Sequence, residues 1–228
     1  MNIIRVNKDF LKFLKSKGID LQELKTRGHV QSLGFQDIAT ASVNSIRKIM
    51  QGFQLSGVYT AECFDRSGRL KWSDTVFNTV VNQGLNYALD VVLPGGQSPI
   101  PYIQTWYVGL INGGTSPVPV VAAADTPSSH AGWTENQNYA NSPNVRPTLI
   151  MAAAASQSKT NSASPASFAI STVSPDLQTL WGVFIASVAT KGSTAGSLFS
   201  AGPFTGGNKT ANGGDTVNVT YTLTAADA

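Results

Sequence analysis

Asp125, Ser128, Ser129 and His130 stand within six positions of one another in "AADTPSSHAGWTE", the stretch from Ala123 to Glu135. These are the residue types of a hydrolytic triad, in which a serine attacks, a histidine takes its proton and a carboxylate orients the histidine. The spacing speaks against that chemistry. Neighbouring side chains such as Ser129 and His130 diverge from the backbone, and no G-x-S-x-G elbow occurs in the chain to expose a nucleophile. A structural reading fits better. Asp125 and Thr126 bond local backbone amides in a turn, Pro127 stiffens it, and Trp133 anchors the exit by burying its ring.

Other chemistries find less material. Cys63 is the only cysteine, so a Cys-based zinc site, an intrachain disulfide and a CxxC redox pair are excluded, and with His29 and His130 as the only histidines, in different regions, no zinc is expected. "GGNKTANGGD" has the glycines of a calcium loop but one acid, Asp215, where a hard cation needs several oxygen ligands; it reads as a pair of hairpin turns. Its Lys-Thr pair lies among strand signals, unlike a phosphate-binding loop. Paired carboxylates of a glycosidase come from distant strands and remain open at this level, with nothing to mark two acids out. Trp72, Trp106, Trp133 and Trp181 would serve as sugar-stacking platforms or as core, and core is the better reading in a sandwich. No cofactor is expected.

The elements that must position these residues fall into two parts. In residues 1 to 50 nine Lys or Arg face four Asp or Glu, whereas from Trp72 onward four basic residues face seven acidic. We read residues 1–54 as a basic amphipathic helical arm and 55–228 as a body. In the arm, Phe10, Leu11 and Leu14 cluster on one side and Lys8, Lys12 and Lys15 fall mainly on the other. Leu21 and Leu24 follow in a second segment, with Asp20 as N-cap and Glu23 as its capping-box partner. Apolar residues are as numerous as lysines here, so the arm suits a protein partner, and neither nucleic acid nor membrane is expected. No apolar run approaches the roughly 18 to 20 residues of a membrane span, and the N-terminus lacks the pattern of a secretory signal.

Charged residues make up 13% of the 228, against about 25% in typical globular proteins. That composition suits an all-β protein with many turns, or a surface largely covered by neighbours. "DRSG" is a hairpin loop between two strand-like runs, and "NQGLNYALDVVL" places Leu85, Leu89 and Val92 on one helical face. Strand-like runs follow at "TWYVGLI", "RPTLIMA", "SFAI", "QTLWGVFIASVA", "GSLFSAG" and "DTVNVTYTL". Several strands without alternating helices predict an antiparallel β-sandwich or jelly-roll-like body with one inserted helix.

From Gly57 onward the order of motifs resembles a group of virion structural proteins of tailed bacteriophages. The residues that carry the resemblance are "GVYTAECFDRSGRLKWSDTVFNTVVNQGLNYALDVVL", "TWYVGLI", "AAADTPSSHAGWTE", the pair Arg146–Pro147, "GVFIASVATKGSTAGSLFSAGPFTGG" and "NGGDTVNVTYTLT". It covers about three quarters of the chain and leaves out residues 1 to about 50. The resemblance implies a capsid decoration, or cement, protein: an oligomeric β-sandwich held to the major capsid protein, to copies of itself, or to both, and located in the virion after assembly in the host cytoplasm. It brings no catalytic residues. With it, Asp125, Trp133 and Arg146 are expected to be structural loop anchors. The other readings are a tail-associated adaptor, fibre or receptor-binding module, and a glycan-binding β-sandwich.

Overall fold

Strict alternation builds the first hairpin. In β1 (Phe53–Phe64) Tyr59, Ala61 and Cys63 point inward and are fully buried, while the residues between them face outward. Strand β2 (Leu70–Phe77) runs back antiparallel, with Val58 opposite Phe77 and Cys63 opposite Trp72. The predicted "DRSG" turn joins them. One Asp65 carboxylate oxygen accepts the amides of Ser67 (2.8 Å) and Arg69 (3.0 Å), and Gly68 takes a φ of 79° that few other residues adopt.

The computed structural model describes residues 53–92, 103–140, 145–173 and 176–227. The arm residues named above, Lys8, Phe10, Leu11, Lys12, Leu14, Lys15, Leu21 and Leu24, lie outside the described residues. After the hairpin come β3 (Thr79–Val80), helix α1 (Asn82–Val92), β4 (Tyr107–Asn112), β5 (Glu135–Asn136), β6 (Ser158–Thr160) and β7 (Ala166–Ala169). The chain closes with β8 (Leu177–Ala186), β9 (Leu198–Pro203), β10 (Lys209–Asn212) and β11 (Thr216–Asp227). They form two antiparallel sheets. The first runs β2-β1-β11-β6, with β7 also on β11; the second runs β3-β9-β8-β4-β5, with β10 also on β8. Among the described residues α1 is the single helix, so the body is mainly β, as predicted and in keeping with a β-sandwich.

The larger core lies between the sheets. Tyr59, Val76, Phe168, Val217, Val219 and Tyr221 of the first meet Val108, Leu110, Leu180, Val183 and Ile185 of the second. The second sheet is buried on its outer face as well. There Ile111, Trp181, Phe184, Ala186, Leu198 and Ala201 form a smaller cluster with Val81 and Trp133. Burial on both faces explains why β8 reads as a continuous apolar run, "LWGVFIA", and not as an alternation.

One prediction differs from the structure. "RPTLIMA" makes only isolated pairings: the Val108 amide donates to the Pro147 carbonyl (2.9 Å) and the Leu149 amide to the Trp106 carbonyl (2.8 Å). Pro147 has no amide to continue a ladder. On α1 the buried positions are Gly84 and Tyr87, and Leu85, Leu89 and Val92 are exposed. Gly84 sets that orientation, because a Cβ there would lie 2.2 Å from the Phe199 carbonyl oxygen. The side bearing the glycine is the one that can approach β9 this closely.

Candidate functional site

A loop without regular structure must be tied down by specific bonds, and the loop before β5 is tied at every turn. Val120 donates its amide to the Gly132 carbonyl (2.9 Å), which closes the loop's base. Within it Thr126 and Ser129 exchange backbone bonds of 3.0 and 3.1 Å, and the Thr126 hydroxyl accepts the Ser129 amide. The Asp125 carboxylate accepts the Ala122 amide (3.0 Å) and the Trp133 indole N–H (2.8 Å). This bond lets the polar edge of Trp133 be buried while its ring packs 5.1 Å from Phe184, over the outer face of the second sheet.

That wiring shows how the triad-like residues are engaged. The Asp125 oxygen shared by Trp133 and Ala122 is not aimed at His130. His130 stacks on Trp133 at 4.1 Å, and its Nδ1 lies 2.9 Å from the Trp133 carbonyl. The Ser128 hydroxyl meets Thr126 (3.2 Å). The four residues are neighbours whose polar groups engage the loop, in which the Trp133 indole is bonded to Asp125.

Arg146 is the third anchor, with a reach the sequence does not disclose. Its guanidinium grips Glu135 with two bonds of 2.8 Å, donates to the Val188 carbonyl at 2.6 Å and lies 5.1 Å from the Phe184 ring centre. Both side chains are about 95% buried, at 4% and 5% exposure. Glu135 also accepts the Gly192 amide, so one ion pair joins β5, the Val145–Pro147 segment and the loop after β8. Lys191 completes the tie: its ammonium donates to the Tyr139 and Gln137 carbonyls and sits 3.8 Å above the Tyr139 ring. Burial pulls this ammonium below the usual lysine range, and nearby Glu135 acts in the opposite direction. The Tyr139 phenol is pushed well above its ordinary value, first by burial and then by Glu135. Glu135 and Lys191 carried no signal in the sequence, since a lone acid and a lone lysine in polar loops read as solvated.

Between this ion pair and the loop lies a cleft of about 260 Å³. Trp133, Phe184 and Leu198 supply its apolar side, Glu135 and Arg146 its charged side, and Thr194 part of its rim.

The other polar centre sits at the far end of the first hairpin. Arg66 donates twice to the Gly213 carbonyl (2.6 and 3.0 Å), and Asp215 takes the Lys71 ammonium and the Asn212 amide. Asp215 is thus a brace of the β10–β11 turn. The Cys63 thiol 3.9 Å away is pushed up to about 12, by burial first and by the Asp215 charge second. No group of three or more His, Cys, Asp or Glu is placed to hold a metal ion among the described residues. Trp133 and Trp181 are buried, and Trp72 and Trp106 are half-buried against the inter-sheet core.

Fold and site together define a mainly β body whose most elaborate polar construction holds a loop against a sheet. No family model, no curated protein and no solved structure matches the chain. Among the described residues, no helix is long and apolar enough to cross a membrane.

Proposed function

We propose that this protein is a non-enzymatic structural subunit of a phage particle, which binds the outside of the capsid shell as a decoration or cement protein. The observation that carries this reading is the character of the body's surface. Phe77, Leu89, Val92, Val118, Val120 and Val173 are each at least 60% exposed. Many of the body's charges are paired within it: Lys71 with Asp215, Arg146 with Glu135, Lys209 with Asp74 and, at the surface, Arg69 with Asp65, while Lys191 is buried and Arg66 holds Gly213. A surface of exposed apolar and small polar groups suits a subunit that other protein covers. The motif order from Gly57 onward supports the virion setting, and the basic arm supplies a grip on the shell or on a second copy.

The mechanism is mass action. A protein that binds the assembled shell better than free subunits stabilises the shell by the free energy of that binding. The test is stoichiometry. Purified particles on a denaturing gel should show this chain at a copy number comparable with the major capsid protein, and deletion of residues 1 to 50 should weaken binding to empty shells. A few copies per particle would move the protein to the tail, and undiminished binding by the truncated chain would remove the arm's role as clamp.

A further inference from the structure

We propose that the cleft beside Trp133 is a binding site for one neutral sugar ring, held by the Glu135–Arg146 pair. The inference does not rest on the decoration reading. Its first support is charge. Glu135 and Arg146 line the cleft together, and their charges cancel. An anion would approach Arg146 only beside the Glu135 carboxylate, and a cation would meet Glu135 only beside the guanidinium, so the pair selects a group that is uncharged.

The second support is hydrogen-bonding capacity. A guanidinium carries five N–H donors, and among the described residues Arg146 commits three: two to Glu135 and one to the Val188 carbonyl. The guanidinium stands next to a carboxylate acceptor in the cleft lining. A hydroxyl is the one common group that accepts and donates at the same atom, and adjacent hydroxyls on a ring span a donor and an acceptor side by side. Gln137, Ser193 and Thr194 extend this polar edge along the rim.

Shape supplies the third. Phe184 and Leu198 supply the apolar part of the lining, with the Arg146 guanidinium 5.1 Å from the Phe184 ring centre. Trp133 does not act as an open stacking platform, because His130 and Phe184 pack against its ring. At about 260 Å³ the cleft falls below the roughly 300–1,000 Å³ of pockets for drug-sized ligands. That size limits an occupant to about a single ring.

Saturation-transfer NMR on the full chain tests this with glucose, galactose, mannose and N-acetylglucosamine, and with the charged analogues glucuronate and glucosamine. At least one neutral sugar should receive saturation, and the charged analogues should receive less. Thr194→Trp, which fills the cleft from an exposed rim position, should weaken that binding about tenfold with unchanged thermal unfolding. Gln137→Tyr provides a second block should the first variant fold poorly. An array of immobilised glycans ending in the same sugar separates a chain end, bound on the array, from a free monosaccharide, bound only in solution; either places a sugar in the cleft. Silence from every neutral sugar, equal signals from the charged analogues, or binding that survives both blocking variants would overturn the assignment.

Discussion

The second sheet is covered twice, and the two covers are built on different principles. Its inner face meets another sheet, where side chains such as Tyr59, Val217 and Val219 are placed by the two-residue period of strands already fixed by backbone pairing. Its outer face meets a loop. Trp133 arrives there without a ladder to fix it, and its position depends on Asp125, on His130 stacked against it, and on the neighbouring Glu135–Arg146–Gly192 bonds. A sheet can cover apolar surface with little polar help, whereas a loop needs buried polar ties. This is why Asp125, Arg146 and Lys191, among the few charged residues buried in the body, gather on that side.

The largest test of this contrast is Trp133→Ala. The ring is 5% exposed, and deleting a buried aromatic of this size costs about 3–5 kcal/mol. Loss of the indole also strands the Asp125 carboxylate. Urea denaturation should show that loss, and hydrogen exchange should show it spreading from Ile111 and Phe184 on the outer face. A change under about 1 kcal/mol would mean that the loop is an ornament on a sheet stable without it.

How far the sequence discloses each cover follows from the same physics. The inner strands were legible because alternation in "GVYTAECF" and "DTVNVTYTL" is a local signal. Asp125 and Trp133 were legible as anchors because their partners lie within a few residues. The partner of Arg146 was not: Glu135 is eleven residues away, and Val188 forty-two. Short strands such as Lys209–Asn212 and Ser158–Thr160 were missed because their polar residues acquire strand geometry from β8 and β11, not from their own pattern. The apolar stripe on α1 does not mark the packed side, since Gly84, which has no side chain, decides which side approaches β9.

Arg146→Ala should come next in size, at about 3 kcal/mol, because it leaves Glu135 buried without its partner. The double change Arg146→Met with Glu135→Leu should recover much of that loss, since it removes both charges. If the single and double variants unfold at the same urea concentration, the pair is not what holds the outer cover.

Acid should sharpen the comparison from the other side. Although burial pushes the Asp74 carboxyl upward, the Lys209 ammonium, the Thr205 hydroxyl and the Gly206 and Thr75 amides overcome it and hold the group near about 2, from an ordinary 3.8. The folded value is the depressed one, so the stabilisation is present above about pH 4 and is lost as pH falls toward 2. The Asp74→Asn variant should therefore show a shallower decline of stability across that window. The inner core offers a matching kinetic probe. Cys63 is fully buried and its thiol is pushed up to about 12, so alkylation at neutral pH should wait for unfolding of the inter-sheet core and leave the native protein unlabelled.

The smallest effect belongs to His130→Ala, and it separates the two meanings of the loop most directly. As a catalytic base His130 would be indispensable; as a lid on Trp133 it contributes one stacked contact at 4.1 Å and one bond to the Trp133 carbonyl. A stacked aromatic pair is worth about 0.5–1.5 kcal/mol beyond its burial, so the variant should lose about 1 kcal/mol and keep its fold. The loss should also shrink when Trp133 is already absent, because the stack needs both rings. A double-mutant cycle with Trp133→Ala measures that coupling. Additive losses would detach His130 from the cover, whereas a coupling near the full single-variant loss would show that the imidazole acts through the tryptophan it lies upon.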